Sequence, residues 1–199
     1  MKNNILISSA GRRVELLNYF RQAAQKFDKT SKIFAIDLNP GLSSACQVAD
    51  KSFEICHSQD EHYIDQLLTI CSENMVKAVI PTIDNELLAL SSNREKFEES
   101  GIDIIISDYK FIEECRDKRQ TKNIFNNLGI VYPEIYEKNN IKFPSFCKPY
   151  DGSSSIGSKV IENENDLSSV DLNNPKNIFM EFIPSNYVEY TVDGYFTRD

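Results

Sequence analysis

Apolar and polar positions alternate in two rhythms along this chain. In the first half, short apolar runs are separated by stretches with helical spacing. "NILISS" (4–9) reads as a buried strand, and "GRRVELLNYFRQAAQKF" (11–27) as a helix with Val14, Leu17, Phe20 or Arg21, and Ala24 near one face. "KIFAID" (32–37) and "KSFEI" (51–55) predict two more strands and "EHYIDQLLTICSEN" (61–74) a helix. "VKAVIPT" (76–82) and "IDIIIS" (102–107) predict further strands around the helix "NELLALSSNREKFEES" (85–100), with Gly101 placed to end it. Strict alternation of strand and helix implies crossover connections, hence a doubly wound α/β unit with a parallel sheet covered on both faces.

From about Asp108 the rhythm changes. Two helical stretches, "YKFIEECRD" (109–117) and "KRQTKNIFNNLG" (118–129), follow one another directly. Beyond Pro133 come short β segments: "PSFCKP", "SKVIE", "NIFMEFI" and "YVEYTVDGYF", with the polar, helix-length "NENDLSSV" among them. The expectation is a small α+β module over 108–199 after an α/β domain over 1–107.

Composition narrows the functions. The formal net charge is -8, and the basic residues are scattered. A nucleic-acid groove or membrane-surface patch needs concentrated basic charge, so neither partner is expected. Five widely spaced cysteines (Cys46, Cys56, Cys71, Cys115, Cys147) form no C-x-x-C pair. They read as buried free thiols of a cytoplasmic protein rather than a zinc site or disulfide framework. The N-terminal apolar run is too short for a signal peptide, and no stretch is long enough to span a bilayer.

Several places could carry chemistry. In the first βα turn, "SSAGRR" offers an anion backbone N–H groups, with Asp37 at the end of the second strand to meet a ribose. Only Gly11 stands where a dinucleotide fingerprint needs three glycines, so a tight turn without a cofactor is preferred; Arg12 and Arg13 could face an acidic ligand. "PTIDNELLAL" puts Thr82, Asp84, Asn85 and Glu86 past a strand's carboxyl end; helix capping, with Asp84 at the N-cap, is favoured over ligand contact. His57 and His62 lack the spacing of a metal pair and read as surface residues.

"KPYDGSSSIGS" (148–158) is more informative. A Gly/Ser loop can lie close to phosphate oxygens and offer N–H and hydroxyl donors, while Lys148 supplies charge. A plain flexible hairpin would use the same residues. Lys118 opens a helix nearby in sequence, at its positive end. Glu181 interrupts the apolar "FMEFIP", where a flat base could meet backbone groups. Glu189, on a predicted strand among Val188, Tyr190 and Val192, suits a pair of ribose hydroxyls.

Taken in order, D-K, L-G-I, K-P, G-S-S-S-x-G-S, E-F-I-P and E-Y-T-V-D-G resemble the ATP-grasp superfamily, in its branch of carbamoyl-phosphate-synthase-large-chain-like carboxylate–amine ligases. "ILISSAGRR", "AIDLNPGLSSACQVADKSFEI" and "VIPTIDNELLAL" resemble the preATP-grasp domain of that branch. The resemblance implies a Rossmann-like preATP-grasp domain followed by the N-terminal part of an ATP-grasp domain. It also implies roles. Lys118 and Lys148 hold nucleotide phosphates, and Gly152, Ser153, Ser154, Ser155, Ile156, Gly157 and Ser158 form a mobile flap. Glu181, Phe182 and Ile183 form the hinge at adenine, and Glu189 binds ribose. Members bind ATP and Mg²⁺, phosphorylate a small-molecule carboxylate, and let an amine displace the phosphate.

The family's metal ligands belong to a C-terminal lobe expected beyond residue 199. The chain therefore reads as a fragment, expected to be inactive alone, or as one half of a split enzyme that associates with a separate catalytic half. A homodimer and a non-catalytic nucleotide- or partner-binding module are further alternatives.

Overall fold

The parallel sheet forms where the apolar runs place it. The computed structural model describes residues 3–153, 155–192 and 194. The chain divides into two compact units, Met1–Cys115 and Arg116–Asp199.

In the first unit, strands β1 (Asn4–Ile7), β2 (Ile33–Asp37), β3 (Lys51–Glu54), β4 (Val76–Ile80) and β5 (Asp103–Ile104) form a sheet in the order β3-β2-β1-β4-β5. All four pairings are parallel. Helices α1 (Val14–Phe27), α2 (Ser44–Val48), α3 (Tyr63–Glu73), α4 (Asp84–Ser92) and α5 (Arg94–Glu99) connect them. The period-two geometry of a strand sorts its side chains into two cores. Leu6, Phe34 and Ile36 join Leu67, Leu90 and Phe97 in one; Ile7, Ile33 and Ala35 join Leu17, Ala45 and Cys46 in the other. Covered on both faces, β1 and β2 have to be apolar almost throughout.

Two local details depart from the sequence reading. The helix expected over 85–100 is broken at Asn93, whose side-chain amide donates to the Ala89 carbonyl. The Arg94 guanidinium then ties the break to the carbonyls of Ile106 and Ser107 at 2.8 and 2.7 Å. The short helix α2, preceded by a 3-10 turn over Pro40–Leu42, was not anticipated; at five residues it is too brief to show a period. Gly101 ends α5 as expected: its φ is +66°, its N–H bonds to Glu98, and the Ile102 N–H reaches back to Phe97.

Helix α6 (Tyr109–Arg116), expected at the start of the second half, lies almost wholly in the first unit, where Ile112 is buried. The second unit holds α7 (Lys118–Asn127) and an antiparallel sheet of β6 (Ile135–Tyr136), β7 (Ser145–Pro149), β8 (Lys159–Ile161) and β9 (Asn177–Glu181), ordered β6-β9-β7-β8. Its core of Cys147, Ile161 and Phe179 is small. The polar stretch at 163–170 forms a 3-10 helix over Glu164–Ser169, capped by Asn163.

Among the described residues the strand predicted over "YVEYTVDGYF" is not found: Tyr187 lies in a bend, residues 188–192 take no regular secondary structure, and Tyr187, Val188, Tyr190 and Val192 are all exposed. Asp193 and residues 195–196 lie outside the described residues. Alternating apolar residues make a strand only when a neighbour supplies ladder partners and cover. The expectation that all five cysteines are buried also needs correcting. All are free thiols, but Cys115 is exposed and Cys56 only half-buried; Cys46, Cys71 and Cys147 are buried. Burial pushes the Cys71 thiol up to about 12.

Candidate functional site

The carboxyl ends of β1, β2 and β4 open into a cleft of about 270 Å³ in the first unit, lined by Ser9, Gly11, Arg13, Asp37, Leu38, Ile55, Cys56, His57, Ser58, Tyr63 and Ile83. Open α/β sheets present their ligand crevice at this edge. Its floor is built around Glu86, a fully buried carboxylate. Glu86 accepts hydrogen bonds from Tyr63 Oη at 2.8 Å, Ser9 Oγ at 3.2 Å, and the backbone N–H groups of Thr82 and Ile83 at 2.9 and 3.3 Å. Burial first, then the adjoining Glu86 charge, pushes the Tyr63 hydroxyl well above its usual pKa.

Capping was the preferred role for Glu86, and capping is what it does. Asp84 is not the N-cap: the chain enters α4 extended at Ile83, and Asp84 is already the first helical residue. The reach of Glu86 back to two N–H groups removes the need for a polar side chain at the cap itself.

Asp37 does not stand clear to await a ribose. Its Oδ2 accepts the Gly11 N–H at 2.8 Å and so holds the first βα turn closed, with Gly11 at φ +52°. The Arg13 guanidinium donates to the Thr82 and Ser9 carbonyls at 2.8 and 3.4 Å, which pins it at the cleft. His57 is exposed, as expected, yet it lines the same cleft. Its Nδ1 accepts the Gln59 N–H, which leaves the ring proton on Nε2. Sequence reasoning missed Leu38, Ile55, Ser58 and Tyr63 as cleft residues; only the fact that they lie at or after strand ends could have pointed to them.

The second unit brings Lys118 and Lys148 together. Lys118 is the first residue of α7, and its Nζ donates to the carbonyls of Tyr150 at 3.3 Å and Gly152 at 2.5 Å, at the root of the Gly/Ser loop. Lys148 sits on β7 opposite Ile178, half-buried. Its pKa is depressed, first by desolvation and then by the positive charge of Lys118. Two ammonium groups close enough to repel mark a place where an anion would be stabilised. By strand alternation Lys148 shares a face with Phe146, Ile178 and Met180, and its Nζ lies 5.7 Å from the Phe146 ring centroid. This apolar surface beside the lysines was legible in the alternation of "SFCKP" and "NIFME" but was not singled out.

The loop folds over one proline. A Cβ on Gly152 or Gly157 would lie 3.2 or 3.1 Å from Pro149 carbons, and Gly157 has φ +74°. Turn bonds from Ile156 N to Ser153 O and from Ser158 N to Ser155 O brace it. Ser153 and Ser155 are described with it; Ser154 lies outside the described residues. A clamp that the sequence reading missed secures the root. Arg119 is held bidentately by Asp117 and lies 3.6 Å from the Tyr150 ring centroid, which Lys118 N–H anchors through the Tyr150 carbonyl.

The remaining predicted residues lie at the end of β9 and beyond it. Glu181 ends β9 opposite Ser145, three register positions from Lys148, about 10 Å along the strand. Its N–H pairs with the Glu134 carbonyl, and its carboxylate takes the Glu134 N–H. Phe182 is half-buried and Ile183 exposed, both past the end of the strand. Glu189 is exposed and does not lie on a strand, contrary to expectation.

Comparison with known proteins supplies the context. Two 3-methyl-D-ornithine–L-lysine ligases are similar in sequence. The one from Methanosarcina barkeri is 31% identical over 60% of this chain and 31% of its own length. The one from Methanosarcina mazei is 28% identical over 82% of this chain and 40% of its own. The chain thus spans well under half the length of the curated relatives it matches. In fold it is similar to the biotin carboxylase domain of the Hydrogenobacter thermophilus 2-oxoglutarate carboxylase, solved with MgADP, ADP and bicarbonate: TM-score 0.64, 18% identity, 92% of this chain and 45% of that one. It is also similar to a biotin carboxylase–β,γ-ATP complex from Campylobacter jejuni: TM-score 0.61, 19% identity, 94% and 46%. The expected Rossmann-like preATP-grasp fold is therefore the fold found. Residues 5–105 match the model of the PylC-like N-terminal domain, half of the chain, and the chain belongs to that family.

Proposed function

We propose that this chain is the nucleotide-binding part of an ATP-grasp ligase that activates a small-molecule carboxylate for attack by an amine. The observation that carries the reading is the convergence of Lys118 and Lys148 at the root of the Gly152–Ser158 loop. The domain assignment goes with it: a preATP-grasp unit first, then the beginning of the ATP-grasp domain. The sequence relatives are ligases joining two amino acids, and the fold relatives include nucleotide complexes.

The donor set fits a polyphosphate. Two ammonium groups, the N–H groups of a loop bearing two glycines, and its serine hydroxyls are all donors, as phosphate oxygens need. Lys118 and Lys148 would hold the phosphates, exchanging loop carbonyls for phosphate oxygens in the case of Lys118. The apolar face of Phe146, Ile178 and Met180 would lie near the base, with the backbone of Glu181–Ile183 as hinge and Glu189 toward the ribose. Bound ATP would supply the phosphoryl group that turns a carboxylate into an acyl phosphate, which the amine then displaces. Among the described residues no group of three or more His, Cys, Asp or Glu could hold a metal; Mg²⁺ would arrive with the nucleotide, held chiefly by its phosphates. Among the described residues no helix is long and apolar enough to cross a membrane.

The test is titration of the chain with Mg·ATP. Amides of Lys148–Ser158 should shift saturably, and Lys148→Ala should weaken binding about ten-fold or more, the worth of a charge-assisted hydrogen bond. The half-buried Lys122, one turn beyond Lys118, serves as control. Equal affinity in Lys148→Ala and Lys122→Ala would refute the phosphate assignment.

A further inference from the structure

The residue that leads into the Gly/Ser loop is held from three sides. Tyr150 follows β7 directly and precedes Asp151 and Gly152. Its carbonyl accepts the Lys118 backbone N–H at 3.1 Å and the Lys118 ammonium at 3.3 Å. Its own N–H donates to the Lys176 carbonyl at 2.8 Å. Its ring centroid lies 3.6 Å from Arg119 Cζ. Lys118 and Arg119 are successive residues of α7, and a helix turns by about 100° per residue. One side chain therefore reaches the loop carbonyls while the next covers the ring.

The shape of Arg119 is used in full. Its Nε and one Nη donate to the two carboxylate oxygens of Asp117 at 2.9 and 2.6 Å, and Asp117 caps α7 by accepting the Arg119 N–H at 2.9 Å. A planar fork with its flat face on a ring suits a guanidinium and not an ammonium. Stability does not account for the arrangement, because the Arg119 side chain is 48% exposed and ion pairs at the surface add little. What the arrangement fixes is position. The Lys118 ammonium rests on the Tyr150 and Gly152 carbonyls. A phosphate that took this ammonium would release the Gly152 carbonyl, and the loop with it. The Lys118 backbone N–H and the Arg119 face would still hold Tyr150, so movement would be confined to the residues beyond it.

We infer that Arg119 is a positioning residue for the nucleotide phosphates: by holding the Tyr150 ring it fixes the pivot of the Gly152–Ser158 loop, so that Lys118 exchanges loop carbonyls for phosphate oxygens without losing register. Arg119 itself touches no phosphate. The phosphate role of Lys118 rests on the reading proposed above; the hold on Tyr150 does not. The physical reason is tolerance. A charge-assisted hydrogen bond works over a narrow range of about 2.7–2.9 Å. Lys118 and the loop can meet one phosphate only if the spacing between α7 and the loop root is kept. A fixed pivot also leaves only a short Gly/Ser segment to be ordered on binding, which lowers the entropy cost.

The test measures the affinity of the whole chain for Mg·ATP and for inorganic triphosphate by calorimetry, with urea unfolding of the second unit alongside. Arg119→Met keeps the stem and removes the fork; it should weaken both ligands about five-fold, the contribution of one guanidinium–ring contact. Tyr150→Leu should do the same, and Tyr150→Phe, which keeps the ring, should lose less. The double variant Arg119→Met, Tyr150→Leu should be no weaker than either single one, because the two side chains act as a unit. Arg119→Lys should stay closer to Arg119→Met than to the parent. Full affinity in Arg119→Lys would mean that Arg119 acts as a point charge on phosphate. Losses that multiply in the double variant would mean that the pair is uncoupled, and a urea midpoint that falls with affinity would mean a structural role only. Each of these overturns the inference. If the parent chain binds neither ligand, the nucleotide reading falls by itself. Amide exchange at Tyr150 and Gly152 in the free chain then decides the hold on the pivot: Arg119→Met should quicken it about five-fold, and unchanged exchange overturns it.

Discussion

The two units hold the charged groups of their candidate sites on different foundations. In the first, carboxylates and a guanidinium are spent on backbone: Glu86 on the N–H groups of Thr82 and Ile83, Asp37 on Gly11, Arg94 on the carbonyls of Ile106 and Ser107. These ties lie on a sheet buried on both faces, so strand-end geometry exists before any ligand arrives. In the second, the core is small, and ion pairs such as Lys142–Glu134 and Lys176–Asp151 are largely exposed, a kind that adds little stability. There Lys118 rests on the carbonyls of the loop it is proposed to work with. One unit presents a finished cleft; the other presents groups whose best partner would be a ligand.

The sharpest way to break this contrast is at Glu86. Glu86→Ala strands the Tyr63 hydroxyl and the Thr82 and Ile83 N–H groups, and should cost about 3 kcal/mol of stability, since each unsatisfied buried donor costs about 1–3 kcal/mol. Urea unfolding followed on the first unit measures it. A loss under about 1 kcal/mol would mean that water replaces the carboxylate and that the floor is not preformed.

The next effect belongs to the second unit and to binding. Lys148 is held below its ordinary pKa, and a phosphate beside it would raise that pKa again. Between the two values binding takes up a proton, so affinity for Mg·ATP should fall as pH rises through the depressed value, by at most about ten-fold per pH unit. Calorimetry from about pH 7 to about pH 10 would show the slope, the upper end being the ordinary lysine range. Lys148→Arg should abolish it, because a guanidinium stays charged throughout. A slope unchanged in that variant assigns the proton to another group.

A smaller effect separates close packing from backbone strain in the loop. Gly157→Ala forces a Cβ to 3.1 Å from Pro149 and a residue into φ +74°, whereas Gly129→Ala meets strain alone, at φ +67° with nothing within 4 Å. Both should cost about 1 kcal/mol for the left-handed backbone; Gly157→Ala should also alter the amide shifts of Ser155–Ser158. Identical behaviour would show that the loop does not rest on Pro149.

Much of the first unit was legible in the order of residues. An apolar run such as "ILI" or "IFAI" has one stable home, a strand covered on both faces, and the intervening 3.6-residue periods of α1 and α3 supply the cover. The Lys148 loop could also be read, because glycines beside serines after a lysine are a local chemical pattern. Glu189 shows where such reading fails. Its flanking valines and tyrosines alternate as a strand should, yet strand formation depends on a neighbour that no local pattern specifies, and residues 187–192 lie exposed and unpaired with any described strand.

By itself, then, the sequence determined the strands and most of the helices of the first unit and which loop is rich in donors, since both follow from period and residue type over a few neighbouring positions. Tertiary structure alone decided that Arg13 is pinned by a carbonyl at position 82, that Asp37 closes a turn at Gly11, and that Lys118 reaches the loop root at Gly152. Each of these joins residues 26 to 69 positions apart. Such pairings are set by how strands register and helices dock, and a hydrogen bond that depends on a few tenths of an ångström cannot be read from spacing along the chain.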